Sequence, residues 1–140
     1  MHRGDLFDAP TPTGELVGVE AIEWLTPCRP SKVLALWNNF RASAEKNGWA
    51  APAEPLYLIK APNSLAPHRA TIPVPAGEVG RVAYEGELGI VIGRRAKGVS
   101  VADAPAHIFG YTCANDVTAI EVITRDPAFP QWTRAKGFDG

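Results

Sequence analysis

The chain is poor in several things, and each shortage excludes something. Only two of its 140 residues are cysteines, Cys28 and Cys113. They form no Cys-x-x-Cys pair, so neither a zinc ribbon nor a dithiol redox motif is written here, and two reduced, structural thiols are expected. No run approaches the ~18–20 consecutive apolar residues of a membrane-spanning helix. Neither sign of charge is in excess: 14 Lys and Arg stand against 15 Asp and Glu, a formal net charge of −1. A surface so balanced offers no basic field to nucleic acid or to an anionic membrane. The densest basic cluster, Arg94-Arg95-Ala96-Lys97, is short and reads as a solvated turn. Repeats and low-complexity tracts are absent. The opening Met1-His2-Arg3-Gly4-Asp5 lacks an apolar signal core, which makes a cytoplasmic protein the simplest expectation.

The remaining composition is that of an ordinary globular protein, 46% hydrophobic and 21% charged, long enough for one domain with a core. Residues 1–30 are turn-rich, with Pro10, Pro12, Gly14, Pro27 and Pro30, and read as an irregular lead-in to a domain over residues 31–140. Val33-Leu34-Ala35-Leu36-Trp37 reads as a buried strand. A short helix over 39–46 follows, with Asn38 or Asn39 as N-cap and Asn47-Gly48 as its stop. Leu56 to Lys60 is a second strand, ended by Ala61-Pro62-Asn63-Ser64, and residues 70–75 an extended edge. Arg81 to Gly93 is the longest strand candidate. Residues 101–107 hold a short helix if Pro105 lies in its first turn; Phe109 to Ala114 is a strand, and 120–124 is one helical turn or a strand. Many strands, short helices and recurrent prolines predict an α+β fold with a twisted mixed sheet.

Within Arg81–Gly93 stand Glu85 and Glu87, two residues apart. On a strand both point to one face, while Leu88, Ile90 and Ile92 point the other way, into an expected core. Neighbouring carboxylates repel each other, more so when buried. A hard divalent cation resolves the conflict, and oxygen-only ligands suit Mg²⁺, Mn²⁺ or Ca²⁺ rather than zinc. Asp116 follows a glycine-bearing strand, and Lys136 comes further on. Taken singly, each feature has a plainer reading: a solvent-facing Glu pair, a strand-end turn at Asp116, a surface ion pair between Lys136 and Asp139, an idle loop histidine at His68, and core packing for Tyr111.

Their order is more specific. Glu85-Gly86-Glu87-Leu88, Val91-Ile92-Gly93, Gly110-Tyr111, Asn115-Asp116, Gln131-Trp132 and Lys136-Gly137-Phe138-Asp139 follow one another as in the fumarylacetoacetate hydrolase family, which the chain resembles from about residue 56 onward. The resemblance implies a β-rich mixed sheet or β-roll, of which the C-terminal half is missing, so that residues 31–140 are the N-terminal part of a catalytic domain. It implies a homodimer and a Mg²⁺ or Mn²⁺ ion on Glu85, Glu87 and Asp116. It further implies that Lys136 assists a developing oxyanion, and that Lys60 and Tyr111 lie where substrate binds. The implied substrates are small 2-oxo acids or acylpyruvate-like diacids, hydrolysed, decarboxylated or isomerised through a metal-stabilised enolate, as in the breakdown of aromatic compounds.

Two departures bear on the reaction. Relatives often carry a water-activating histidine on the short early helix, and the matching stretch, Asn39-Phe40-Arg41-Ala42-Ser43-Ala44-Glu45-Lys46, has none. That favours an isomerase or decarboxylase over a hydrolase. Ile120 and Ile123 stand where relatives commonly have an arginine and a glutamine. The chain also ends inside functional sequence, as a fragment would, and the alternative expectation is a non-catalytic metal-binding or oligomerising remnant of the family.

Overall fold

The structure, a computed structural model, describes residues 11–139. The first ten residues of the expected lead-in and the closing Gly140 lie outside the described residues. In chain order the chain forms β1 (Val33–Trp37), α1 (Arg41–Asn47), β2 (Leu56–Lys60), β3 (Val82–Ala83), β4 (Gly86–Ile92), β5 (Ile108–Asn115), β6 (Thr118–Ala119), α2 (Ile120–Ile123) and α3 (Trp132–Lys136). Short 3-10 turns lie at Val19–Ala21, Pro62–Ser64 and Ala104–His107, the last with Pro105 in its first turn. The architecture is α+β, as expected. The strands pair as three two-stranded antiparallel ribbons, β1–β2, β3–β6 and β4–β5, and no parallel pair occurs among the described residues. Residues 11–30 are irregular apart from the turn at Val19–Ala21.

The described residues divide into two compact units: residues 11–23 with Tyr84–Asp116, and Trp24–Ala83 with residues 117–139. The division explains the largest departure from the expected elements. The single strand expected over Arg81–Gly93 is two: β3 pairs with β6 in one unit, and β4 with β5 in the other. Alternation of period two runs through the break at Tyr84-Glu85, so the pattern does not reveal the change of partner.

The second unit holds the core. Ala119, Val122, Ile123 and Ala135 are buried together, with Val79, Trp132 and Phe138 packed against them. Trp37 bridges β1 to this core, its ring centroid 5.8 Å from Trp132 and 5.2 Å from Trp49. The helix before β2 begins at Arg41, not at residue 39, with Phe40 in the cap position. Asn38 does not cap it: its backbone is left-handed (φ 55°), and its side-chain amide donates to the Ala50 carbonyl at 2.8 Å, tying the two ends of the α1 excursion together. Gly48 stops the helix as expected, left-handed at φ 67°.

The turn before β3 is clasped from α2. The Glu121 carboxylate accepts from the Arg81 amide at 3.1 Å, the Ile120 amide donates to the Arg81 carbonyl at 3.0 Å, and the Arg125 guanidinium donates to the Glu78 carbonyl. Gly80 stands inside this clasp at φ 68°, and any Cβ there would collide with the Glu121 carboxylate.

One expectation about the core is corrected. Leu88, Ile90 and Ile92 do share the face of β4 opposite the glutamates, but they are 59%, 52% and 58% exposed. The alternation was legible; the core behind it is not supplied by the described residues.

Gly80→Ala should lower the unfolding free energy by about 1–3 kcal/mol, through positive φ and the collision together. Gly86→Ala, with ordinary φ and open space around it, should change it by less than about 0.5 kcal/mol. Urea denaturation of the two variants measures both.

Candidate functional site

The first unit carries the carboxylates on one ribbon. β4 and β5 pair with Glu87 opposite Ala114 and Gly86 opposite Asn115. The ladder runs one residue further: the Asp116 amide donates to the Glu85 carbonyl at 2.9 Å, which sets Glu85 opposite Asp116. The Asn115 side-chain oxygen accepts from the Glu85 amide at 3.2 Å, closing the end of the ribbon. Residues opposite each other in an antiparallel pair share a face, as do residues two apart. Glu85, Glu87 and Asp116 therefore stand on one face, all three partly buried. The floor beside them is Gly89, Thr112 and Ala114. Gly89 is required there, because a Cβ would lie 2.9 Å from the Thr112 methyl and 3.3 Å from its carbonyl oxygen.

A shared face is not yet a coordination sphere. Among the described residues no three His, Cys, Asp or Glu side chains stand close enough together to hold a metal ion. The donor set nonetheless suits a hard divalent cation: three carboxylates, oxygen only, at one end of a small-residue floor. Tyr111 does not join them. It pairs with Ile90 and is exposed on the reverse face. The period of two that unites the carboxylates sets Tyr111 on the other face of the ribbon.

The second unit carries the lysines. Lys136 ends α3 and is buried, 6% exposed. Its ammonium donates to the Thr118 hydroxyl at 2.6 Å. A buried ammonium is costly unless hydrogen-bonded, and Thr118, wholly buried on β6, supplies an acceptor. Three contacts hold this segment: the Thr133 hydroxyl donates to the Ile59 carbonyl at 3.3 Å, Phe138 packs on the core, and Asp139 accepts from the Asn63 amide. Gly137 lets α3 end here, since a Cβ would lie 2.6 Å from the Thr133 carbonyl oxygen. Lys60 is half-buried at the end of β2, next to Ile59. His68 is exposed, its ring edge-on to Trp24 at 5.3 Å.

Two supporting residues were not singled out from sequence. Asn115 had a place in the Asn-Asp pair but no role. Thr118 follows Asp116 by one intervening residue, and no pattern announces that its hydroxyl receives a lysine from α3.

A sheet-rich α+β scaffold with a three-carboxylate face and a buried, hydroxyl-bonded lysine describes a class of domain built to hold charge at fixed positions. Comparison with known proteins makes the class specific. The family model described as fumarylacetoacetate (FAA) hydrolase C-terminal matches residues 32–140. A solved structure of 2-hydroxyhepta-2,4-diene-1,7-dioate isomerase from Mycobacterium marinum superposes with a TM-score of 0.79 at 35% identity, covering 99% of this chain and 49% of that one. The 5-carboxymethyl-2-hydroxymuconate delta-isomerase from Mycobacterium smegmatis gives 0.75 at 39% identity, over 91% of this chain and 49% of that one. The oxaloacetate tautomerase of Bacillus subtilis is 34% identical over 104 residues, 72% of this chain and 35% of its own length. The chain belongs to the fumarylacetoacetate hydrolase family, and its fold is that of the family. It spans about half the length of the curated relatives it matches. No helix among the described residues is long and apolar enough to cross a membrane.

Thr118→Val keeps the shape of the side chain and removes the acceptor from Lys136. It should cost about 1–3 kcal/mol of stability, with Thr118→Ser retaining most of it. Chemical denaturation of the two variants separates loss of the hydroxyl from loss of the methyl.

Proposed function

We propose that the protein works as a divalent-metal-dependent enzyme on small 2-oxo acids or acylpyruvate-like diacids, in a cytoplasmic setting and as a homodimer. Isomerisation is favoured, ahead of decarboxylation and C–C hydrolysis. One observation carries the proposal: Glu85, Glu87 and Asp116 share a half-buried face of the β4–β5 ribbon. The names of the three proteins compared above support the substrate class, since each is a tautomerase or isomerase of a small acid with two or three carboxylates.

In this proposal Glu85, Glu87 and Asp116 hold Mg²⁺ or Mn²⁺. When bound, the cation supplies Lewis-acid charge to the oxygens of a 2-oxo acid. Lys136, kept as a fixed donor by Thr118 and by burial, is assigned to the charge that develops on substrate oxygen. Lys60 and Tyr111 are assigned to substrate binding. Helix α1, Arg-Ala-Ser-Ala-Glu-Lys-Asn, carries no histidine to activate water. A reaction that only moves a proton between carbon and oxygen needs no activated water, and this favours the isomerase side.

The half-length span favours a second reading, a metal-binding or oligomerising remnant without turnover. Metal binding should raise the thermal stability of the chain by roughly 2.7 kcal/mol at a hundredfold excess over Kd. Excess chelator should reverse the gain, and Glu87→Gln should abolish it. A melt indifferent to Mg²⁺, Mn²⁺ and chelator would remove the metal from the proposal. If the melt responds but oxaloacetate enolisation, followed by ultraviolet absorbance, stays at the uncatalysed rate, the remnant reading stands. Catalysed enolisation that falls at least about tenfold in Lys136→Ala, a loss of about 1.4 kcal/mol of transition-state stabilisation, supports the enzyme.

A further inference from the structure

Two ties join the segments that carry the lysines, and each lysine lies between them. The Thr133 hydroxyl donates to the Ile59 carbonyl at 3.3 Å, and the Asn63 amide donates to the Asp139 carboxylate. Lys60 follows Ile59 and precedes Asn63, while Lys136 lies between Thr133 and Asp139. The two segments are therefore clipped to each other on both sides of both cations. Lys60 pairs with Val33, and Ala35 and Trp37 continue the same face of the β1–β2 ribbon at a spacing of two. From that face Trp37 reaches Trp132, the first residue of α3, with ring centroids 5.8 Å apart. Lys60 is thus rooted on the ribbon face that meets the helix of Lys136.

The Asn63 end of this clip is stiff. In the 3-10 turn Pro62–Ser64 the Ser64 amide and hydroxyl both donate to the Ala61 carbonyl, at 3.0 and 2.7 Å. Pro62 restricts the backbone at its first position. The Asp139 end is the one that needs holding. Helix α3 is five residues long, Lys136 is its last residue, and Gly137, with the widest backbone freedom, follows at once. Phe138 then packs on the core, and Asn63 takes Asp139. We propose that Asn63 and Asp139 are a positioning pair: their bond fixes Lys60 relative to Lys136, and the fixed cations select acids with two anionic ends over acids with one. Cations that move independently must be ordered before both ends of a diacid are held; cations already fixed avoid that cost. Neither Asn63 nor Asp139 touches substrate in this reading, which rests on the assignment of Lys60 and Lys136 to substrate.

The full 140-residue chain, dialysed free of divalent cations, is titrated by calorimetry with malonate, succinate and glutarate, each beside the monoacid of the same carbon number. One of the diacids should bind about tenfold more tightly than its monoacid, the worth of one further charge-assisted contact. Asn63→Ala and Asp139→Ala should each bring the two affinities together and leave that of the monoacid unchanged. Asn63→Asp should do the same, because two carboxylates then face each other. Asn63→Asp combined with Asp139→Asn rebuilds the bond with donor and acceptor exchanged, and should restore the preference for the diacid. A merely stabilising contact would shift the melting temperature of Asn63→Ala and leave the ratio of affinities as it is in the unaltered chain; that result overturns the proposal. So does an exchanged pair that melts cooperatively without regaining the preference, or an unaltered chain that binds diacid and monoacid alike. Metal response and enolisation are read separately. A chain without turnover whose diacid preference still depends on Asn63 removes the enzyme and keeps the positioning pair, and enolisation without any diacid preference does the reverse.

Discussion

The register of β4 against β5 is the constraint on which the candidate site depends. One backbone hydrogen bond, from the Asp116 amide to the Glu85 carbonyl, carries the ladder past the end of β4 and sets two carboxylates opposite each other. The side-chain oxygen of Asn115, taking the Glu85 amide, seals that end. Side chains alternate with a period of two, so a slip of one residue would send Glu85 and Glu87 to the face of Cys113 and Tyr111 and leave Asp116 behind. Gly89 guards the same register from the middle of the strand, because only a residue without a Cβ passes Thr112 at this distance.

The second unit fixes a charge by another means. Lys136 is placed by a five-residue helix too short to stand alone, and the helix is held by what surrounds it. Ala135 and Trp132 enter the core, Thr133 reaches the β2 backbone, and Gly137 allows the chain to turn away. Thr118, at the centre of the same packing, offers its hydroxyl to the ammonium. Packing and hydrogen bonding thus act on the same side chain. Burial removes water, and the hydroxyl offsets part of what the ammonium loses.

Both units join buried charge to open apolar surface. The glutamate face is half-covered while the face behind it is bare, and β1–β2 likewise leaves Leu34, Leu36, Tyr57 and Ile59 uncovered.

Much was legible in the chain itself. Val33–Trp37, Leu56–Lys60 and the strand ending at Asn115 are short apolar runs bounded by turn residues, and they form where the pattern puts them. The ordered series from Glu85 to Asp139 was enough to identify the family, because each of its residue types is placed by local backbone period and sequence order. Three things were not legible. The break at Tyr84-Glu85 was hidden because alternation does not record which strand is the partner. The helix at Trp132–Lys136 was hidden because its five residues form in response to the core they join. The openness of the Leu88–Ile90 face was hidden because a period of two tells which residues share a face, and only tertiary packing decides whether anything lies against it. The sequence by itself determined which groups are available and which of them share a strand face, since that follows from covalent order and backbone geometry. The tertiary structure alone decided the pairing of Glu85 with Asp116 and the burial of Lys136 against Thr118, since both depend on contacts between segments far apart in the chain.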